Sequence, residues 1–97
     1  MVIWTDPARD DLKQIHDHIA ENSSYYAEEV IFTIIEKTEL LTGFPHMGRV
    51  VPELDEKNVR ELFVYSYRII YEILPDKITI NAVIHAKRDF NEAYVNP

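Results

Sequence analysis

Apolar side chains recur at helical spacing through the first part of the chain and at alternate positions in the later part, the period changing near Val59. Residues 1 to 5 form a short apolar run that reads as a strand. Asp6-Pro7 follows, a capping side chain ahead of a proline whose missing N–H costs nothing at the first helical position. Ala8, Leu12, Ile15 and Ile19 then fall on one face while Arg9, Asp10, Lys13, Asp17 and Glu21 fall on the other, so an amphipathic helix is expected to end near Asn22. Ser23-Ser24 restarts the chain. A wider stripe of Ala27, Val30, Ile31, Ile34, Ile35 and Leu41 predicts a second helix, with Glu28 and Glu29 near its N-terminus and Gly43-Phe44-Pro45 as its stop. Helices joined by so short a turn lie antiparallel, and their shared apolar face needs a sheet to cover it. Tyr25 and Tyr26 are expected to pack at that turn, and Trp4 in the core.

Residues 43 to 58 hold both glycines and two of the five prolines and read as the one substantial loop. Three antiparallel strands are expected after it, giving an α+β fold in which an N-terminal strand and a helical hairpin precede a three-stranded meander, with the helices on one face of the sheet. A connection at Pro75-Asp76 pairs Ile73 with Ile78, and the same register carried inward sets Arg68 opposite Val83 with His85 as its diagonal neighbour. Tyr67, Ile69, Tyr71 and Ile73 then share the core face with Ile78, Ile80, Ala82 and Ile84. Arg68, Ile70 and Glu72 share the outer face with Thr79, Asn81, Val83 and His85. On that reading Arg68 is a half-solvated residue, neutralised by Glu72 or Glu61, and costs little to remove. A bulge in either strand would change the assignment.

At 97 residues and 46% hydrophobic content, the chain has material for one domain, residues 1–97, and one core. It has no cysteine, which excludes disulfides and thiolate metal sites and suits a reducing compartment. No apolar run approaches the roughly 20 residues of a membrane helix, so a soluble, cytoplasmic protein with no membrane partner is expected. The net charge is −7, and residues 1 to 58 carry all of the excess, with twelve acidic against five basic side chains. Such a chain does not hold phosphate backbones through its overall field, so no sequence-specific DNA binding by the chain alone is expected. His16 and His18 do not share a helical face as metal ligands would, no glycine-rich phosphate loop occurs, and neither metal nor other cofactor is expected.

The basic residues of the later part gather around the expected sheet. Arg49 lies in the loop, Arg60 opens a strand, Arg68 sits within one, and Lys87 and Arg88 follow His85. With His85, these five of the ten basic residues form the candidate set, and the end of the sheet they mark is a candidate concave site.

The order of elements, together with GRVVPEL (48 to 54), VREL (59 to 62), YRIIYEI (67 to 73) and VIHAKRDF (83 to 90), resembles the RelE/ParE superfamily of toxins from bacterial type II toxin-antitoxin systems, including those of the plasmid stabilisation type. The resemblance spans nearly the whole chain. It implies a toxin silenced by a cognate antitoxin whose extended or helical segment wraps the toxin surface. One branch of the superfamily cuts messenger RNA in the ribosome and the other, ParE-like, poisons DNA gyrase. Under the nuclease alternative Glu53 takes the 2′-OH proton, Arg68 holds the phosphate through its forked donors and His85 protonates the leaving oxygen. That branch usually carries a denser set of Lys and Arg and often a functional tyrosine at the C-terminus, whereas here no aromatic directly follows His85 and Tyr94 stands too far along to match. The long second helix, the GR-PEL loop and the acidic net charge resemble the ParE branch more closely. The expectation is therefore a gyrase inhibitor with no catalytic set, for which the resemblance marks Arg49, Arg60, Arg68, His85, Lys87 and Arg88 as target-binding positions, with a ribosome-dependent endoribonuclease or a non-toxic, antitoxin-binding homologue as the alternatives.

Overall fold

Thr5 shows how a single side chain fixes the start of the architecture. Its Oγ1 accepts from Ala8 N at 3.2 Å, capping the first helix, and donates to Ile80 O at 3.0 Å, tying that cap to a neighbouring strand. Thr5, rather than the expected Asp6, is thus the cap, with Pro7 just inside the first turn. The computed structural model describes residues 1–95. It contains β1 (Val2–Trp4), α1 (Asp6–Ala20), α2 (Ser24–Glu39) with a 3₁₀ turn over Leu40–Thr42, β2 (Arg49–Val50), β3 (Val59–Val64), β4 (Tyr67–Ile73) and β5 (Ile78–His85), followed by a π turn over Asn91–Val95.

The five strands form one sheet in the order β1-β5-β4-β3-β2, with β1 parallel to β5 and the other pairs antiparallel. The expected meander is therefore its centre, flanked by the N-terminal strand and by a short strand from within the expected loop. Ser23 Oγ caps α2 by accepting from Tyr26 N at 3.0 Å. Ala8 from α1 and Ala27, Val30, Ile34 and Thr38 from α2 are buried, and Leu12, Ile15, Ile19 and Trp4 pack on the same core. The helices so seal one face of the sheet against Leu62, Val64, Ile69, Tyr71, Ile78, Ile80 and Val83. Tyr25 and Tyr26 are exposed and not packed into the turn between the helices; Tyr26 instead meets the edge of Tyr65 at 6.5 Å between ring centres.

Near the turn the β4–β5 register matches the sequence expectation, pairing Ile73 with Ile78 and Tyr71 with Ile80. Asn81 is then an inserted residue, and beyond it Ile70 pairs with Ala82, Ile69 with Val83, Arg68 with Ile84 and Tyr67 with His85. Because side chains alternate with a period of two, this bulge exchanges the faces of everything after it on β5. Val83 and His85 turn toward the helices, and Ala82 and Ile84 toward the opposite face. The expectation that Arg68 and His85 share an outer face is thereby overturned.

The opposite face is not open either. Val51, Val59, Ile70, Ala82, Ile84 and Phe90 form a second core, with Leu54, Ala93 and Tyr94 packed on it. The loop before β3 and the segment after β5 supply its cover. Tyr94 stacks on Phe90 at 5.2 Å and accepts from Asn81 Nδ2 at 3.2 Å, which fastens the π turn to the bulge.

Candidate functional site

Arg68 is only 6% exposed and Glu61 1%, so two opposite charges lie within the second core. Burying them is costly unless every donor and lone pair is met. Arg68 meets that condition through its planar fork. Nε donates to Glu61 Oε1 at 2.6 Å, Nη1 to Glu53 Oε2 at 2.9 Å and Nη2 to Glu53 Oε1 at 2.8 Å. Arg49 completes the network from the rim, its Nε donating to Glu61 Oε2 at 2.6 Å. Each cation also covers a ring, Arg68 that of Phe90 at 4.7 Å and Arg49 that of Phe63 at 5.1 Å. Among the described residues no buried side-chain nitrogen or oxygen lacks a partner.

This geometry has an electrostatic consequence for Glu53. Its two hydrogen bonds from Arg68 hold the carboxyl below the usual glutamate range, outweighing the desolvation that would raise it. The same bonds, with those to Glu61, raise the pKa of Arg68 above that of an isolated guanidinium. A carboxylate so stabilised as an anion is a weak proton acceptor.

The remaining candidates lie elsewhere. Arg60 reaches back to the loop, donating from Nη1 to Gly48 O at 2.9 Å and from Nε to Lys57 O at 3.2 Å. It holds the loop against a tight spot, since a Cβ on Gly48 would stand 2.5 Å from Glu61 O and 2.6 Å from the Tyr71 hydroxyl. That hydroxyl accepts from Gly48 N at 3.0 Å and donates to Pro45 O at 2.8 Å.

His85 sits on the helix side, its ring edge-on to Tyr67 at 5.5 Å, in a cleft of about 270 Å³ that α1 closes with Asp11, Gln14 and His18 and that Arg88 also lines. Lys87 N donates to His85 Nδ1 at 3.1 Å, so in the neutral ring Nε2 carries the proton. Asp11 accepts from Val83 N at 3.0 Å, and burial raises its pKa above the ordinary aspartate value. Lys87 and Arg88 are exposed. The structure thus brings Glu53, Arg68 and Arg49 together, groups His85 with Arg88 and Lys87 at the far end of β5, and leaves Arg60 apart from both. It does not bring Glu53 and Arg68 onto one face with His85.

The sequence reading named Glu61 only as one of two partners for Arg68, and it missed the covering roles of Phe90 and Tyr94. A signal for the cover existed in Phe90, Ala93 and Tyr94, spaced as one face of a helical turn.

A helical hairpin on one face of a five-stranded sheet, with a short parallel edge strand, defines a small α+β domain. It resembles the structure described as the chromosomal ParDE TA system from P. aeruginosa, with a TM-score of 0.75 and 21% identity over 89% of this chain and 95% of that one. No curated protein matches the chain by sequence. The family model for the ParE toxin of type II toxin-antitoxin systems, parDE, matches residues 2–90, and the chain belongs to that family.

Proposed function

We propose that the protein is a cytoplasmic ParE toxin that inhibits DNA gyrase and is neutralised by a cognate antitoxin. Family membership supports the toxin, and one observation favours gyrase over RNA. Glu53 is gripped by both terminal nitrogens of Arg68, which leaves neither group free for proton transfer or phosphate binding, while His85 faces the helices. The fold has used the polar set that a nuclease would need. Target contact then falls to the exposed members of the candidate set, Lys87 and Arg88 with His85 beside them and Arg49 at the rim, while Arg60 and Arg68 hold the scaffold.

The partner reading follows from the exposed side of α2. Tyr25 is 76% and Phe32 65% exposed, among the exposed carboxylates Glu28, Glu29, Glu36 and Glu39. An antitoxin segment that is unfolded when free and carries both apolar and basic residues complements such a surface. Co-expression with the neighbouring small gene is expected to yield a complex of higher melting temperature than the toxin alone.

The target is tested with purified protein. Block of gyrase supercoiling with accumulation of cleaved DNA, and intact message on translating ribosomes, is the expected result. Ribosome-dependent cuts abolished by His85→Ala would overturn it.

A further inference from the structure

Tyr65 occupies a backbone conformation that a bulky side chain rarely takes. It has φ 53° at the first position of the two-residue turn between β3 and β4, with Val64 and Tyr67 paired on either side. A positive φ confined to that first position is the arrangement in which glycine ordinarily stands. Tyrosine there strains the backbone, and strain of this kind persists where function selects it. Burial does not explain the choice, because the side chain is 56% exposed and its aromatic neighbour, Tyr26, is 50% exposed.

The surroundings of the turn supply a second, independent observation. Ala86 N donates to Ser66 O at 2.7 Å, which sets the segment after β5 directly beside the turn. Lys87 and Arg88 project from that segment, exposed, and Tyr67 and His85 pair at its base. A chain of net charge −7 thus presents, at one end of its sheet, an exposed tyrosine with two exposed cations in the adjoining segment. Tyrosine and arginine are the side chains that most often anchor protein interfaces, the first because it brings a large contact area with few rotatable bonds.

We infer that the β3–β4 turn is the target-contacting tip of this toxin, with Tyr65 as the anchor that enters an apolar pocket on a protein surface and Lys87 and Arg88 meeting an acidic rim around it. The inference rests on the gyrase reading for the identity of the target, and it assigns to Tyr65 a role the sequence motifs do not reach. The acidic rim follows from charge complementarity with the exposed cations Lys87 and Arg88. The turn and the edge contact with Tyr26 place the ring, still more than half exposed, before the partner arrives, so little ordering remains to be done on binding.

Relief of the strain separates the roles. Tyr65→Gly, which suits the turn, is expected to keep or raise the thermal midpoint, yet to weaken inhibition of gyrase supercoiling by roughly tenfold or more, the size of effect seen when an aromatic anchor is truncated. Tyr65→Asn, also tolerant of positive φ, is expected to behave alike. Lys87→Glu with Arg88→Glu should slow association at low salt and lose that effect at high salt.

Wild-type inhibition retained in full by Tyr65→Gly overturns the tip while leaving the gyrase reading intact. A wild-type protein that does not touch gyrase overturns both. A fall in the thermal midpoint of Tyr65→Gly and Tyr65→Asn alike would make the ring a structural prop for Tyr26 and overturn the inference. Binding of the wild-type chain to an oligothymidylate in the absence of gyrase, lost in Tyr65→Gly, would assign the ring to base stacking and overturn the protein partner.

Discussion

The two faces of the sheet are both closed, by different chemistry. Toward the helices the strands present hydrocarbon and one buried tyrosine, and α1 and α2 lay a continuous apolar surface on them. Toward the loop and the C-terminal segment they present a smaller apolar patch interrupted by Arg68 and Glu61, and the cover is irregular chain. Helices satisfy their own backbone and need only packing to adhere, whereas a loop must be tied down through specific bonds. Glu53 in the loop and Phe90 in the terminal segment both close on Arg68, so one guanidinium organises what two helices accomplish by area.

The comparison breaks first at Tyr71, the largest fully buried side chain, which serves both devices by packing under the helices while its hydroxyl holds the loop. Tyr71→Ala is expected to cost about 4 to 5 kcal/mol in denaturant melts, from the cavity and the loss of partners for Pro45 O and Gly48 N. Tyr71→Phe retains the packing and isolates the loop contribution, about 1 to 2 kcal/mol. Equal losses from the two variants would show that the loop alone depends on this residue.

Arg68 is the next test. Arg68→Ala is expected to cost about 3 kcal/mol, because it leaves Glu61 buried with only the rim cation Arg49. Replacing both charges, Arg68→Met with Glu61→Met, is expected to cost less than Arg68→Ala alone, since the charges left without their partners, Glu53 and Arg49, are part-exposed and none is fully buried. A double variant as unstable as the sum of the two single ones would mean that the two charges are not energetically coupled, against the buried pair seen here. Strand alternation alone predicts for Arg68 the small cost of an exposed pair, and burial on the second face reverses that expectation.

The reason for the reversal marks how far the string of residues could be read. Hydrophobic period, capping side chains and breakers carried the helical hairpin, the central meander and the face of Tyr71, because each depends on residues close in sequence. The bulge at Asn81 depends on what β5 meets across the sheet, and an inserted residue leaves no mark in a run such as INAVIH where apolar side chains sit on both parities. That same property was a usable clue. Ile69-Ile70-Tyr71 and Val83-Ile84 are contiguous apolar runs, and a strand apolar on both sides is one covered on both sides. The candidate site divided accordingly. Motifs put Arg49, Glu53 and Arg68 within reach of one another, but they could not show that these groups satisfy each other, nor that the bulge takes His85 to the other face. Tyr65 escaped notice because its significance lies in a φ value, which no spacing encodes.

The smallest expected effect is also the one that sets the faces against each other in sign. Glu53, on the loop side, is held below its ordinary value near 4.5 chiefly by the bonds from Arg68. Its contribution to stability is therefore complete above that ordinary value and is lost as the pH falls through the depressed folded value. Asp11, on the helix side, is raised above its ordinary value near 3.8 chiefly by burial. It takes up its proton more readily in the folded state, so it opposes folding at neutral pH, an opposition that fades as the pH falls below its raised value and is gone below the ordinary one near 3.8. Glu53→Gln should accordingly lower stability at neutral pH by less than about 1 kcal/mol, because the carboxylate is partly solvated, and flatten the acid limb. Asp11→Asn keeps an oxygen for Val83 N and should hold or raise neutral-pH stability while making the acid limb steeper. Urea melts between about pH 3 and pH 7 measure both slopes. Changes of slope in the same direction would mean that one of the two carboxylates is not held as its face requires.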